Sequence, residues 1–325
     1  MKGMDKDFSW GAYFMLGTHM WRCPDDLFGG KMKGDAAQTA PDTGSFSRKY
    51  RTLQCDDGEW RAVTERMRAG GLNQIVIDIG EGLRFPSHPE LAIDGSWTPD
   101  RMRDEVRRLR GMGIEPVPKL NFSAGHDVWL GEYHRMVSTR KYYEVCGEII
   151  ADVCEIFGGP KLFHIGFDEE TAYNQRNFAY SVVRQGELWW HDVMYFVKEV
   201  ERHRARAWMW SDYAWHHDDF CRRMSKGVLQ SNWYYGKSFD MATHPHPEYI
   251  RTFIELEKAG FDQIPCGGNW SCDTNFRDLV AFCREHVSPE RLKGFLTTSW
   301  HCLLPDSRKK NFDSVDQVAE ERKKS

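Results

Sequence analysis

The sequence predicts a (β/α)8 TIM barrel, and three observations support this fold class. Short apolar segments rich in β-branched residues alternate along the chain with longer segments of helical periodicity. Eight strand-like segments can be counted, which is the number that a closed parallel barrel requires. The length of 325 residues is normal for one such barrel, so we expect residues 1–325 to form a single domain.

Each predicted strand ends close to polar or aromatic residues. The eight strands are assigned to residues 8–20, 73–79, 114–122, 162–167, 206–212, 228–233, 263–269 and 294–300. Because the strands of a parallel barrel run in one direction, their carboxyl ends meet on one face, and barrel enzymes hold their active sites there. We therefore expect the functional residues at these strand ends.

Apolar residues at helical spacing fill the segments between the strands. The predicted helices surround residues 60–67, 102–109, 142–156, 189–200 and 250–254. Gly70-Gly71 should end the first helix, because glycine tolerates the left-handed backbone of a helix C-terminus. Thr98-Pro99 should begin the second, with a capping hydroxyl followed by proline at the first helical position. Thr274 is expected to cap the helix before the eighth strand.

Two stretches depart from this alternation. Residues 22–55 carry many Gly, Asp, Pro, Ser and Thr with little periodicity. A loop of that length in a compact domain is usually functional or disordered, so it either covers the active site or forms a surface excursion. The tail from about residue 306 is highly polar, and we expect at most one short closing helix in it.

The composition narrows the range of partners. The formal net charge is −4, and residues of both signs are mixed along the chain, so we expect neither nucleic acid nor an anionic membrane as a partner. Thirteen Trp is a high number. Aromatic rings in a pocket can stack on the faces of sugars, although any single Trp is more often a large core side chain.

Cysteine usage and the N-terminus bear on the compartment. The nine Cys form no Cys-x-x-Cys pair, which favours reduced thiols in a cytoplasmic protein; Cys23 and Cys55 would pair only in an oxidising compartment. Residues 1–10 lack the apolar core of a signal peptide, and no apolar run is long enough to span a bilayer. A leader removed earlier would leave no trace in this sequence.

An adjacent acid pair, Asp168 and Glu169, ends the fourth predicted strand. A carboxyl group at such a position can protonate a leaving group or steer a substrate. In an extended chain the two side chains point to opposite sides, so we expect them to act on different substrate groups unless the strand end twists. The alternative is that the pair caps the next helix or binds surface cations. The third acid, Glu170, is predicted to be solvated or structural.

The residues around this pair carry a family resemblance. His164-x-Gly166-x-Asp168-Glu169 resembles the His-x-Gly-x-Asp-Glu signature of family 20 glycoside hydrolases, the β-N-acetylhexosaminidases. The resemblance implies that Glu169 is the acid/base and that Asp168 orients the substrate's 2-acetamido group, which is itself the nucleophile. It extends to Gly82-Leu83-Arg84 with Pro89-Glu90-Leu91, and to Val117-Pro118-Lys119-Leu120-Asn121 with Gly125-His126.

Further candidates for substrate contacts lie at the other strand ends. They are His126, Trp210, Asp212, Trp233, Tyr234, Asp273 and Trp300. The resemblance implies that the three Trp wall a sugar pocket, with core packing as the alternative. His126 either hydrogen-bonds into the acid cluster or is a packed loop residue. The two Asp either hold sugar hydroxyls or serve as turn and cap acids.

The sequence also departs from the family pattern. The family's Arg on the first strand is missing between Trp10 and Met20, and its Tyr-x-Asp is not recognisable in residues 265–273. Tyr234 or Tyr235 is a candidate replacement for that Tyr. The catalytic acids are therefore better supported than specificity for N-acetylhexosamine, and two alternatives stay open. One is a glycosidase acting on a non-acetamido sugar, and the other is a non-catalytic barrel that binds carbohydrate.

The rival chemistries are less well supported. A double-displacement mechanism would need a carboxylate nucleophile, which related barrels hold on strand seven. Here strand seven carries no Glu, and Asp273 lies past its end. This favours the substrate-assisted mechanism, in which the substrate supplies the nucleophile. A metal-dependent barrel hydrolase normally has His-x-His at the end of strand one, where His19 stands alone. His216-His217 and His244-x-His246 lie in polar loops. We expect a carbohydrate as the substrate and neither a metal nor another cofactor. The oligomeric state is left open by the sequence, and a homo-oligomer is one option.

Overall fold

Eight parallel strands build the centre of the fold. The computed structural model describes residues 8–17, 52–175 and 181–324. The strands are β1 (Ser9–Met15), β2 (Gln74–Asp78), β3 (Glu115–Lys119), β4 (Leu162–His164), β5 (Arg206–Trp210), β6 (Leu229–Ser231), β7 (Cys266–Gly268) and β8 (Gly294–Thr298). They pair in the order β6-β5-β4-β3-β2-β1-β8-β7, and bridges from Gln230 to Gln263 and from Trp233 to Cys266 join the two outer strands. The predicted (β/α)8 TIM barrel is confirmed.

Every strand lies inside its predicted segment but ends earlier than predicted. β4, for example, ends at His164 instead of residue 167, although Ile165, Phe167 and Asp168 are all buried. Residues just past the end of a strand stay buried without joining the sheet. Because they are apolar like the strand itself, the sequence pattern extends the predicted strand over them. At β4 the over-predicted residues therefore lead into the carboxyl-end face of the barrel, where Asp168 lies.

Helices surround the sheet. They are α1 (Asp57–Gly70), α2 (Pro99–Gly111), α3 (Arg140–Ile156), α4 (Glu187–Arg202), α5 (Phe220–Arg223), α6 (Glu248–Lys258), α7 (Asn275–His286) and α8 (Arg308–Lys323). Gly71 ends α1 with a left-handed φ of 75°, and the Thr98 hydroxyl accepts from the Arg101 amide at the start of α2, as predicted. Thr274 stands at the N-cap position of α7 as predicted, but its side chain makes no capping hydrogen bond.

The tail is better ordered than its polarity suggested. Helix α8 has 16 residues and packs against α1, where Arg66 pairs with Asp316 and Arg308 pairs with Glu59. The predicted closing helix is present but is not short: buried Val315 and Val318 give α8 an apolar contact with the barrel that the surrounding charges obscure.

The barrel interior contains a buried ionic trio. The Lys119 ammonium donates to Asp78 Oδ2 at 2.6 Å, and the Tyr13 hydroxyl donates to the same carboxylate. All three side chains are buried, and a buried charge is tolerated only when it is paired and hydrogen-bonded. The Tyr13 ring also lies 4.9 Å from the ring of Trp300, between centroids, so the trio supports an aromatic residue at the carboxyl-end face.

Some sequence-based expectations fall outside the described residues. These are residues 22–51 of the predicted loop, His19, and the pairing of Cys23 with Cys55. None of the helices in the described ranges is long and apolar enough to cross a membrane.

Candidate active site

The chain turns sharply where β4 ends. Gly166, Phe167 and Glu169 have left-handed φ values of 72°, 71° and 52°. A Cβ atom on Gly166 would lie 2.1 Å from Asn121 Oδ1, so this position has room only for glycine. Left-handed non-glycine residues cost on the order of 1–3 kcal/mol each and cluster at functional sites. The strand end is twisted, and the opposite orientation expected for an extended chain does not apply.

Because of this twist, both carboxylates reach one histidine. His126 Nε2 lies 3.5 Å from Asp168 Oδ2 and 3.3 Å from Glu169 Oε2. Asn121 Nδ2 donates to Asp168 Oδ1 at 2.7 Å and fixes that side chain. Burial by itself lowers the pKa of His126, but the charges of Asp168 and Glu169 outweigh it, so the pKa is raised. The two acid charges thus favour the protonated form of His126, and of the two interpretations left open by the sequence, the contact with the acid cluster is the one observed.

A small cavity of about 80 Å³, here called the inner cavity, opens beside the acids. It is lined by Asp168, Glu169, Trp210, Trp233, Tyr235, Trp270 and Trp300. The three Trp expected at the strand ends all lie here. Tyr235, which the sequence offered beside Tyr234 as a replacement for the family's Tyr, also lies here. Trp270 was missed, although it directly follows the seventh predicted strand, which is the same signal that identified the other Trp. Carboxylates on one side and aromatic faces on the others suit a ligand with apolar faces and polar edges.

Asp212 lies behind Glu169. Its Oδ2 accepts a hydrogen bond of 2.8 Å from the Glu169 backbone amide, so it holds the left-handed residue in place from the loop after β5. Burial and the nearby charge of Asp168 raise the pKa of Asp212 to about 8. Asp212 is thus part of the acid cluster, but its backbone contact gives it a supporting position and it does not line the inner cavity.

Tyr234 lies outside the site, and the expectation that it contacts the ligand is wrong. Its hydroxyl donates to the Ser238 carbonyl at 2.8 Å, and its ring packs on Phe239. Its neighbour Tyr235 lines the inner cavity and accepts a hydrogen bond of 3.0 Å from the Thr298 hydroxyl. Neighbouring residues in extended chain point to opposite sides, so only one of the two can face the cavity.

Asp273 also lies outside the inner cavity. Its side chain is 78% exposed and pairs with Lys310 at 3.0 Å. It follows β7 by five residues, by which point the chain has turned away from the barrel mouth towards α7. The expectation that Asp273 holds a sugar hydroxyl is therefore wrong, and Trp270 is the residue that this loop contributes to the inner cavity.

Glu170 is structural. Both of its oxygens contact Arg184, and Oε2 also accepts from the Ala124 amide at 2.8 Å. Arg184 is buried and pairs with Asp192 of α4 at 3.1 Å. This buried network ties the loop after β4 to the loop after β3 and to α4, so it stiffens the segment that carries the two acids.

The acid cluster has the composition of a cation site. His126, Asp168 and Glu169 each offer one ligand atom, and these atoms lie within 4.8 Å of one another; no other such group occurs in the part of the chain that the structure describes. Three protein ligands of this kind can hold a zinc ion. The histidine pairs considered from the sequence do not join this cluster: His216 and His217 line a different cavity, and His246 contacts Glu248.

A second and larger cavity, here called the outer groove, opens on the other side of Glu169. Its volume is about 740 Å³. Its walls include Glu169, Asp212, Tyr213, Trp215, His217 and Tyr249, together with Trp189 and Trp190 of α4. Glu169 is the acid shared by the two cavities, since Asp168 lines only the inner one.

Comparison with known proteins adds a fold relationship. No family model and no curated protein matches the sequence. The chain is similar over 96% of its length to a chitobiase from Flavobacterium johnsoniae, with 17% identity and a TM-score of 0.61, covering 48% of that protein. It is similar over 96% of its length to β-N-acetylhexosaminidases from Bacteroides fragilis (10% identity, TM-score 0.60, 66% covered) and Streptomyces coelicolor A3(2) (13%, 0.60, 64%).

The chain therefore spans between about half and two thirds of these similar proteins. Identities of 10–17% are too low to transfer an activity from one protein to another, because one barrel fold supports many reactions. The comparisons establish that this chain shares the fold of solved β-N-acetylhexosaminidase structures, and its function is argued from its own site.

Proposed function

We propose that this chain is a glycoside hydrolase that removes terminal β-linked 2-acetamido sugars, with Glu169 as general acid/base and Asp168 as the residue that orients the acetamido group. One observation carries the proposal: two carboxylates share His126 at the wall of an aromatic-lined cavity. The inner cavity, at about 80 Å³, is small enough to favour a single terminal sugar over an internal chain segment.

The position of Glu169 between the cavities fits the role of acid. A glycosidic oxygen that joins a sugar in the inner cavity to a group in the outer groove would lie next to this carboxyl. As the bond from the anomeric carbon to that oxygen breaks, the Glu169 proton passes to the oxygen, and the leaving group departs as an alcohol. In the second step the Glu169 carboxylate takes a proton from the water that attacks the anomeric carbon, and the bond that the acetamido oxygen formed to this carbon in the first step breaks.

The nucleophile in this proposal is the acetamido oxygen of the substrate. A protein nucleophile would have to face the acid across the sugar, with the two carboxyl groups roughly 5 Å apart. Asp168 and Glu169 instead meet at one histidine, and among the described residues that line the inner cavity there is no further carboxylate. Asp168, held by Asn121, would accept the acetamido N–H and so direct its oxygen at the anomeric carbon.

A second candidate is a retaining glycosidase for non-acetamido sugars in which Asp168 is the nucleophile. The closeness of the two acids favours it: oxygens of Asp168 and Glu169 lie within 4.8 Å of each other, no farther apart than the roughly 5 Å of retaining pairs. In this case a covalent bond would form between Asp168 and the anomeric carbon, and an acetamido group would not be needed.

A panel of nitrophenyl glycosides tests the proposal. We expect turnover of the β-GlcNAc or β-GalNAc glycoside and not of the β-glucoside or β-galactoside, together with inhibition by a GlcNAc-thiazoline, which mimics the cyclised acetamido intermediate. Turnover of the plain glycosides without thiazoline inhibition would favour Asp168 as nucleophile. No turnover of any member would contradict the proposed specificity and leave two alternatives, a hydrolase for another glycoside or a carbohydrate-binding barrel.

A further inference from the structure

One nitrogen of His126 faces two carboxylates at once. Its Nε2 lies 3.3 Å from Glu169 Oε2 and 3.5 Å from Asp168 Oδ2. Both distances exceed the about 2.7–2.9 Å that is usual for a charge-assisted hydrogen bond between nitrogen and oxygen. A single N–H group also cannot point directly at two oxygens. Hydrogen bonding by itself therefore does not explain why both acids are held around this one atom.

Another histidine of the barrel shows the ordinary arrangement of an imidazole between two acids. His88 Nδ1 contacts Glu90 Oε1 at 2.8 Å, and its Nε2 contacts Glu148 Oε2 at 2.8 Å. Each ring nitrogen of His88 thus serves one carboxylate at hydrogen-bonding distance. The contacts of His126 are longer and converge on one nitrogen, which is the arrangement of ligands around a shared ion.

The spacing at His126 agrees with the ligands of a tetrahedral zinc ion. Zinc binds imidazole nitrogen and carboxylate oxygen at about 2.0–2.1 Å, so two such ligands at a tetrahedral angle lie roughly 3.3–3.4 Å apart. The two contacts of His126, at 3.3 and 3.5 Å, are close to this value. The oxygens of Asp168 and Glu169 lie within 4.8 Å of each other, and rotation of the partly exposed Glu169 side chain can shorten that distance.

Surrounding groups hold the three side chains in place. Asn121 Nδ2 donates to Asp168 Oδ1 at 2.7 Å, which leaves Oδ2 directed at His126. The loop that carries His126 is tied to the loop that carries the two acids, because Glu170 Oε2 accepts from the Ala124 amide at 2.8 Å. Hydrogen bonds that orient the ligands in this way are typical of metal sites and raise their affinity.

The charges near the cluster leave room for a divalent cation. Asp212 adds a third buried carboxyl group, and its Oδ1 has no hydrogen-bond partner among the residues that the structure describes. The Lys119 ammonium, whose charge acts on His126, is already paired with Asp78 at 2.6 Å. Carboxylates crowded into a buried site repel one another, and a divalent ion between them would offset this repulsion.

The mixed ligand set favours zinc over the hard cations. Mg²⁺ and Ca²⁺ are bound by oxygen ligands and need six or more of them, whereas imidazole suits zinc. His126 and Asp168 are buried, so few water molecules could complete a larger coordination shell. Three protein ligands beside the inner cavity leave the fourth position of a tetrahedral ion for water.

We propose that His126, Asp168 and Glu169 bind one zinc ion and that the bound ion inhibits the protein. Zinc takes the place of a proton on His126 Nε2, and that proton is released to the solvent. The binding of the ion goes beyond the proposed function. The inhibition rests on that function, because a Glu169 carboxylate held by zinc cannot give a proton to a leaving group.

Calorimetric titration with zinc chloride tests the site independently of activity, on protein that has been treated with EDTA and desalted. We expect one equivalent to bind at the cluster, and excess Mg²⁺ or Ca²⁺ should not displace it. His126→Gln and Glu169→Gln should each weaken this binding at least roughly tenfold, because each removes one ligand. Co²⁺ in place of zinc should give the visible absorption of a four-coordinate ion, and His126→Gln should lose it.

His246→Gln is the matched control, because His246 contacts a single carboxylate, that of Glu248, at 3.2 Å on the exposed surface. It should bind zinc as tightly as the unaltered protein. Zinc binding that persists unchanged in both His126→Gln and Glu169→Gln would be held elsewhere, by thiols for example, and would overturn the proposal. Absence of zinc binding by the unaltered protein would overturn it as well.

Hydrolysis of the nitrophenyl β-GlcNAc glycoside measures the inhibition. Zinc at a concentration that saturates the cluster should lower the rate at least roughly tenfold, and EDTA should restore it. Full activity of the zinc-saturated protein would overturn the inhibition. If the protein hydrolyses no nitrophenyl glycoside, the proposed specificity fails, and calorimetry still decides whether the three residues bind zinc.

Discussion

The backbone amide of Glu169 donates a hydrogen bond of 2.8 Å to Oδ2 of Asp212. This contact joins the left-handed turn after β4 to the loop after β5, two segments 43 residues apart in sequence. The contact helps to hold the strained backbone of Glu169, while its carboxyl contacts His126 at 3.3 Å. A single carboxylate thus positions the proposed acid without lining the inner cavity.

The raised pKa of Asp212 predicts a pH-dependent contribution to stability. The pKa is about 8 in the folded protein, against about 4 for an unfolded Asp. The stability due to the bound proton is therefore fully present below about pH 4 and is lost as the pH rises towards about 8. The free energy of unfolding is measured in urea for the unaltered protein and for Asp212→Asn. The difference, unaltered minus variant, should fall between about pH 4 and about pH 8 and level off above about pH 8. Parallel pH profiles for the two proteins would contradict the raised pKa.

Glu169→Gln should abolish most turnover of substrates with poor leaving groups. Loss of general acid catalysis typically costs roughly 10²–10⁴-fold in rate, and glutamine cannot supply a proton. Steady-state rates on an alkyl or sugar aglycone check this, with a nitrophenyl substrate, whose leaving group needs less protonation, expected to suffer less in the first step. The control is Asp273→Asn, which should keep its rate. Normal turnover by Glu169→Gln would remove Glu169 from the role of acid.

Asp168→Asn should discriminate between substrate classes. If Asp168 orients an acetamido group, its loss should lower the rate on 2-acetamido sugars and leave any slow turnover of plain glycosides nearly unchanged. If Asp168 is a nucleophile, both classes should lose activity together. The ratio of kcat/KM values for paired β-GlcNAc and β-glucoside substrates is the measurement.

Gly166→Ala should destabilise the protein and weaken the site. The new Cβ would lie 2.1 Å from Asn121 Oδ1, and Asn121 holds Asp168. Together with the left-handed φ of 72°, we expect a loss on the order of 2–3 kcal/mol, measured by urea unfolding. Gly159→Ala is a matched control: its φ is 74°, but no atom lies within 4 Å of the added Cβ. Equal losses for the two variants would show that the clash with Asn121 contributes nothing.

Chelation tests whether the cluster of His126, Asp168 and Glu169 works without a metal ion or holds one. If His126, Asp168 and Glu169 act as acids and a cation between them is not required, activity should survive incubation with EDTA. Loss of activity that added zinc restores would mean that the three ligand atoms, which lie within 4.8 Å of one another, hold a metal in the working protein.

Local patterns in the sequence were enough to predict the barrel and the place of the acids. Alternating periodicities predicted eight strands, and each observed strand lies inside its predicted segment. Since parallel strands bring their carboxyl ends together, the strand ends pointed to Asp168 and Glu169, and the family resemblance added His126 and the three cavity-lining Trp as candidate neighbours. These features depend on which residues are apolar and in what order, and that information is local.

Only the tertiary structure decided which side chains face the inner cavity. Past the end of a strand, orientation depends on backbone angles such as the left-handed φ of Glu169, and these are fixed by contacts with distant residues such as Asn121 and Asp212. Tyr235 lines the inner cavity and Tyr234 does not, which the composition of the segment could not distinguish. The sequence determined that acids and aromatic residues meet at one face of a barrel, and long-range packing determined that Glu169 lies between a small cavity and a large groove.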